Sequence, residues 1–387
     1  MPPLRIAVLS SLARDSGGHL RAFYLAKYLR AAGAEVRFHA GIRSLPAFLD
    51  YLVSAVMHTR AALHAYDVVI AQKPLFNVAI PLLVQRARGR VTVVDIDDDD
   101  AGFRTGLVAR VNAFLQRPLP SRCTLVTYHA ETLPERIRSV FHVDAGRLVR
   151  LRQGVDLELF DRDGGQHGTP PGDASREPLV AYAGHLNVAS ELEAVFRIIL
   201  RARRDLPRLR LLVIGGGPLE RHFRRLAREI GVADATTFTG HVAPETVCEQ
   251  LRGASAGILY YESRDANRYR ESMKLREMLA LGLPIVCNDF GELPRFSDWT
   301  YQASGYDGVA ARLNDLLRHG GDGRERAGME YVRRELDWSW HARALHERLV
   351  QEVAAARLAH RRQADPMMTR GRGRGLLSPR SARTRSL

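Results

Sequence analysis

Two series of short apolar runs alternating with helix-length periods, separated by one break rich in Gly, Pro and Asp, constrain this 387-residue chain more than any other feature. The first series opens with Leu4–Leu9, an apolar run of strand length. A helix follows over Leu20–Ala32, with Ala22, Leu25, Ala26 and Leu29 on one face and Gly33 to stop it. Glu35–Ala40, Asp67–Ala71, Val91–Ile96, Thr124–Thr127 and Leu148–Arg150 read as further strands, with an apolar helix near Val78–Gln85. After the break at 161–177 the pattern restarts. Strands are expected at Leu179–Ala183, Arg210–Ile214, Thr236–Phe238, Ala256–Tyr260 and Pro284–Cys287. Helices are expected at Leu192–Arg204, Glu220–Ile230, Pro244–Gly253 and Met273–Ala280. Strands that alternate with helices build a parallel sheet covered on both faces. The expectation is an α/β chain of two doubly wound, Rossmann-like domains, 1–160 and 178–337, joined by a linker at 161–177 and facing a cleft. A last helix, Ser339–Leu358 within 338–360, returns toward the first domain, and 361–387 reads as a disordered basic tail.

Charge is uneven along the chain. Residues 1–94 hold 12 Lys and Arg against 4 Asp and Glu, and 361–387 hold 8 Arg against Asp365, so the middle of the chain is close to neutral although the whole carries +14. Basic ends suit an anionic partner, whether a membrane surface, a nucleic acid or a phosphorylated substrate, or are simply solvated. Gly41–Tyr66 places Leu45, Phe48, Leu49, Leu52, Val53 and Val56 at helical spacing beside Arg43, His58 and Arg60, a face for the core or for an anionic bilayer. The tail lacks interleaved aromatics, so specific nucleic-acid recognition is not expected. Three scattered cysteines, Cys123, Cys248 and Cys287, fit neither a disulfide framework nor a zinc cluster, and a reducing compartment suits them. No apolar run spans a membrane or makes a signal-peptide core, so the expected location is the cytoplasm, with peripheral contact at the inner membrane face.

The segment Ser272–Val286 carries the most chemistry. It enters a helix whose first amides are unpaired and whose dipole favours an anion, with Lys274 adding charge and Glu277 one turn on, where a carboxylate can accept two ribose hydroxyls. The alternative is an ordinary helix capped by Ser272 with Glu277 in solvent. Gly17-Gly18 after the first strand lets a ligand approach the backbone, or makes a plain turn. Asp95 and Asp97–Asp100 put five carboxylates in six residues, whose mutual repulsion should raise some pKa values. Asp97 or Asp98 could orient or deprotonate an acceptor hydroxyl, bind a divalent cation, or belong to a solvated loop. No Walker A loop, dinucleotide fingerprint or His-rich metal spacing is present, so no cofactor and no metal are expected.

The Ser272–Val286 stretch resembles the donor-site signature "S-x-K-x-x-E-x-x-A-x-G-x-P-V-V" of GT-B glycosyltransferases similar to family 4. Ser16–Arg21 resembles that family's Gly-Gly loop, Gln153–Asp156 with Phe160 its "N-G-V-D-x-x-x-F", Leu212–Pro218 its "V-G-x-G-P", Phe238–His241 its "F-x-G", and Trp338 the Trp before its terminal helix. The resemblance covers roughly residues 4–355. It implies transfer of a sugar from a nucleoside-diphosphate donor held by the second domain to an acceptor on the first, lipid-linked or saccharide, with retention. It places Gly17, Gly18, Gly184, His185, Gly215, Gly216, Ser272, Met273, Lys274, Leu275 and Glu277 on the donor. Departures are specific: Tyr269 stands where a first glutamate is usual, Glu271 is out of register, and His185 and Ser190 stand where Arg and Lys are usual. Lys274, Arg268 or Arg270 would then supply the positive charge. A subset with "D-x-D-D" in the first domain and Asn, Ser, Lys and Glu in the second fits Asn267, Ser272, Lys274 and Glu277. Alternatives within the fold are a nucleotide-sugar 2-epimerase and a non-catalytic nucleotide-sugar-binding protein.

Overall fold

The computed structural model describes residues 2–13, 19–41, 47–97, 114, 118–161, 177–187 and 189–364. Apolar runs buried on both faces make two parallel sheets. The first contains β1 (Arg5–Ala13), β2 (Glu35–Gly41), β3 (Val68–Gln72), β4 (Val91–Ile96), β5 (Leu125–Tyr128) and β6 (Leu148–Arg150), in the order β2-β1-β3-β4-β5-β6. The second contains β7 (Leu179–Ala183), β8 (Arg210–Ile214), β9 (Thr236–Phe238), β10 (Ala256–Leu259), β11 (Ile285–Cys287) and β12 (Tyr301–Gln302), in the order β12-β11-β10-β7-β8-β9. Every residue of β3 and β4 is buried, as sheets covered on both sides require. Strand order reverses at β1/β3 and at β7/β10, and the crevices beyond the carboxyl ends of those strands are where such sheets bind ligands.

The covering helices of the first sheet are α1 (Leu20–Ala31), α2 (Ala47–Ala62), α3 (Phe76–Ala87), α4 (Pro118–Arg122) and α5 (Leu133–Phe141), and α6 (Leu157–Phe160) follows β6. Around the second lie α7 (Ala189–Ala202), α8 (Glu220–Ile230), α9 (Pro244–Arg252), α10 (Met273–Ala280), α11 (Gly305–His319) and α12 (Arg324–Glu335). The long α13 (Trp338–Ala364) then packs Trp338, Ala342, Leu345, Leu349 and Val353 into the first-sheet core with Tyr24, Leu25 and Leu29. Their spacing of three and four residues is that of one helical face.

The chain crosses between the sheets in two adjacent segments. The amide of Val155 donates to Leu336 carbonyl (2.7 Å) and that of Trp338 to Val155 carbonyl (3.2 Å). Gly154 makes this crossing possible: a Cβ there would lie 2.8 Å from the fully buried Trp338 ring. Asp156 accepts from Lys27 (2.7 Å) and Tyr28 (2.7 Å), and Arg21 reaches Gln153 (3.1 Å) and Leu151 carbonyl (2.8 Å), so α1 is fastened to the crossing.

Several elements depart from the sequence reading. β1 runs to Ala13, past the expected Leu9, and α7 starts at Ala189 rather than Leu192. Helix α13 continues to Ala364, through residues read as the start of a disordered tail, because Ala354–Ala356 and the following residues hold good helix formers. The rest of that tail, and 162–176 of the expected linker, lie outside the described residues. Helices α11 and α12 had no reading, and α12 is polar on most sides, burying only Gly328, Met329 and Val332.

Helix α2 has the expected period, but its apolar face does not lie in the core. Leu49, Leu52, Val53, Val56 and Met57 face outward, with Val56 60% exposed, while Asp50, Ser54 and His58 are buried against the protein. The buried His58 ring receives no compensating charge, and burial pushes its pKa down to about 4. No helix among the described residues is long and apolar enough to cross a membrane. The three cysteines are free and buried.

Candidate active site

Three loops at the carboxyl ends of β7, β8 and β9 converge because they carry glycine. Gly215 has φ +122°, and a Cβ on it would fall 2.2 Å from the Gly184 carbonyl oxygen; one on Gly216 would fall 2.8 Å from the His241 amide nitrogen. No side chain fits at either place. Beside these loops, α10 begins. Ser272 caps it, accepting from the Leu275 amide at 3.3 Å, and the helix start faces the same space.

Together these elements enclose a cavity of about 540 Å³ between the two sheets. Gly184, His185, Gly215, Gly216, His241, Met273, Lys274 and Glu277 line it from the second sheet, and Leu20, Phe23 and Tyr24 of α1, with His19 at its N-cap, from the first. Glu277 is buried, and loss of water pushes its carboxyl up to about 7, against the pull of Lys274 and with a push from Asp156. A cation, helix-start amides, glycine backbone and a carboxyl group poised near neutrality therefore meet in one space. That set can hold a diphosphate and a diol at once.

Of the residues expected on a donor, the structure brings together Gly184, His185, Gly215, Gly216, Met273, Lys274 and Glu277. Ser272 lines an adjoining small hollow with Arg270 and Tyr261. Leu275 does not reach the space: its side chain is fully buried in the second-sheet core, and only its amide takes part, through the Ser272 cap. Gly17, Gly18 and Asp98 lie outside the described residues. Of the three cations considered for the diphosphate, Lys274 lines the cavity. Arg270 is paired with Glu191 and stacks over Tyr261, and Arg268 stacks over Phe290. Tyr269, in the place of the usual glutamate, packs instead against the first-sheet core under Arg136.

The described part of the acidic run is not a solvated loop, and at Asp97 the expected rise in pKa is not found. Asp95 and Asp97 each have a cation of their own. Arg21 grips Asp95 with two nitrogens at 2.7 and 3.0 Å, and Thr127 adds a third donor at 2.7 Å. Asp97 sits 2.8 Å from the Lys73 ammonium and accepts from Gln72 at 3.1 Å. Burial alone would raise its pKa, but Lys73 and then His129 hold it below the ordinary carboxylate range. Asp97 is buried and does not line the cavity. Lys73 holds a left-handed φ of 62°, an unusual conformation for a side chain of that size. Among the described residues no group of three or more acidic, His or Cys side chains could hold a metal ion.

Sequence reasoning missed the network that joins the two sheets below this cavity. Arg276, on the buried side of α10, reaches Glu271 (3.1 Å), Glu292 (2.8 Å) and the Ser272 carbonyl (2.9 Å). Glu292 also accepts from the Ser272 amide, and Glu271 lies 3.6 Å from His129 of the first sheet. Arg276 holds Glu271 well below the usual carboxylate range despite its burial. The Ser272 cap is thus clamped from both its amide and its carbonyl. Lys73, Asp97 and His129 directly follow β3, β4 and β5, and that position at strand ends was the available signal.

Residues 177–319, the part holding these loops and α10, match the family described as glycosyl transferases group 1. A GDP-mannose-dependent alpha-(1-6)-phosphatidylinositol monomannoside mannosyltransferase of Mycolicibacterium smegmatis is 26% identical over 285 residues, covering 69% of this chain and 73% of its own. Sucrose-phosphate synthase from Thermosynechococcus elongatus superposes with a TM-score of 0.69 at 14% identity, over 91% of this chain and all of the other. The Anabaena protein Alr3699/HepE, solved in complex with UDP, gives 0.64 at 12% identity, over 90% of this chain and all of its own. Residues 177–319 thus match glycosyl transferases group 1, and the described chain has the GT-B fold of these solved structures.

Proposed function

We propose that this enzyme takes a sugar from a nucleoside-diphosphate donor bound in the cavity and passes it, with retention, to a lipid-linked acceptor at an anionic membrane surface. The convergence of Lys274, the start of α10, the Gly184 and Gly215 backbones and Glu277 on one cavity supports the donor half. In this reading Glu277 accepts the ribose hydroxyls. Lys274 and the helix-start amides take up the charge that develops on the departing diphosphate. Asp97 holds Lys73 at the carboxyl end of the first sheet, on the acceptor side, and a role as base to the acceptor hydroxyl would require it to exchange its partner. A screen of GDP-, UDP-, ADP- and dTDP-sugars for slow hydrolysis and for thermal stabilisation tests the donor. GDP-mannose is the first to try, given the name of the mycobacterial relative. One nucleotide sugar should stabilise the protein and be hydrolysed; no response to any of them defeats the reading.

The outward apolar face of α2 supports the acceptor half. Leu52, Val56 and Met57 of α2 and Ile80 and Leu83 of α3, which packs against it, are all exposed on a domain rich in arginine, with Arg60 in the last turn of α2 and Arg86 in that of α3. An apolar ridge flanked by cations suits the boundary of an anionic bilayer, where each nearby Lys or Arg adds about 1 kcal/mol. The full chain and a version ending at Ala364 should both sediment with anionic vesicles at low salt and less at high salt. Val56→Glu should weaken both. Binding by the full chain alone would assign it to the tail, and no binding by either would remove the membrane from the proposal.

A further inference from the structure

The cavity lining is of two kinds. Lys274, Glu277 and the glycine loops give it charge and polar backbone, while Val242, Ala243, Pro244 and Val247 give it an apolar wall. From the first sheet, α1 contributes Phe23, and His19, at the N-cap four residues before it, brings its ring within 6.5 Å of Phe23. Phe23 is held by its neighbours rather than loose: Phe38 meets it at 6.1 Å and 80°, Tyr24 at 5.6 Å and 65°, and His19 at 6.5 Å and 67°. Yet it remains 42% exposed. Apolar cavity walls opposed by a fixed, partly open aromatic ring suit a flat, stackable group.

We propose that Phe23 is a base-stacking residue, so that the first sheet domain closes an aromatic lid over the nucleobase of the donor. The inference rests on the donor reading above, which sets the ribose at Glu277 and the diphosphate at Lys274. The base is then the flat part of the donor left to meet the apolar wall. Because every base has a stackable face, Phe23 contributes affinity with little discrimination among bases. It also couples nucleotide binding to approach of the two sheets, since the ring and the apolar wall belong to different ones.

Titration of GDP, UDP and ribose 5-diphosphate into the full-length protein tests this. Phe23→Ala should weaken both nucleotides about tenfold and Phe23→Trp by much less, as base–aromatic stacking implies. Ribose 5-diphosphate, which keeps the clamp and lacks the base, should bind both variants as it binds the wild type. Unchanged nucleotide affinity in Phe23→Ala, or an equal loss for ribose 5-diphosphate, overturns the stacking role. Glu277→Gln separates the two levels: it should weaken all three ligands, and if it weakens none, the donor reading itself is wrong.

Discussion

Arg276→Met should lower the stability of the second sheet domain by about 3–5 kcal/mol, the usual cost of removing one partner from a buried ion pair. The side chains of Arg276, Glu271 and Glu292 are all 4% exposed or less. Methionine fills much of the volume but leaves Glu292 without its cation and Glu271 with only the more distant His129 (3.6 Å) and Arg295 (4.0 Å). The clamp on Ser272 also loses its hold on the carbonyl side. The deficit has a definite pH dependence. Glu271 is held below its unfolded pKa by Arg276, so its contribution is present above about pH 4.5 and is lost as pH falls through the folded value. The gap between wild type and variant should therefore be widest near neutral pH and narrow in acid. Denaturant unfolding followed at both pH values measures it, with separate transitions for the two domains if they uncouple. A difference under about 1 kcal/mol at pH 7 would mean that solvent reaches the network and that it is not a structural clamp.

What was legible in the sequence, and what was not, follows from how each feature is encoded. Val91–Ile96 announced itself because a strand buried on both faces must be apolar throughout. Glu220–Ile230 did so because an exposed helix keeps its apolar residues on one stripe. Periodicity in 47–62 identified a helix and its apolar face, but period alone does not say what the face meets. Here His58 and Asp50 go inward and Val56 outward. The loops with Gly184, Gly215 and Gly216 could be found because close backbone approach leaves a compositional trace. The Arg276 network leaves none: Glu292 comes 16 residues later, after β11, and His129 comes from the other sheet, so only topology brings them together. Asp95 and Asp97 show the same limit: spacing sets carboxylates against one another, whereas Arg21 and Lys73, far apart in sequence, take one each.

Glu277→Gln should weaken binding of the donor nucleotide by about 1.5–3 kcal/mol, the range for hydrogen bonds to a charged group, and Lys274→Ala should weaken it through the diphosphate. Glutamine keeps the shape but loses the charge that two hydroxyls would share. The raised pKa of Glu277, about 7, adds a signature that a packing defect would not produce. Only the ionised form accepts from both hydroxyls, so wild-type affinity for a nucleotide sugar should rise about tenfold from pH 6 to pH 8 as that form fills. In Glu277→Gln the rise should vanish. Stability runs the other way: a carboxyl with a raised folded pKa binds its proton more tightly when folded, so this group favours the fold less as pH climbs from about 4.5 to 7. The deciding measurement is isothermal titration of the turned-over nucleotide sugar into wild type, Glu277→Gln and Lys274→Ala at pH 6 and 8. The account predicts one site per chain, weaker in both variants, with the pH slope lost only in Glu277→Gln. Unchanged affinity in both variants would contradict it, because the donor would then lie outside this cavity.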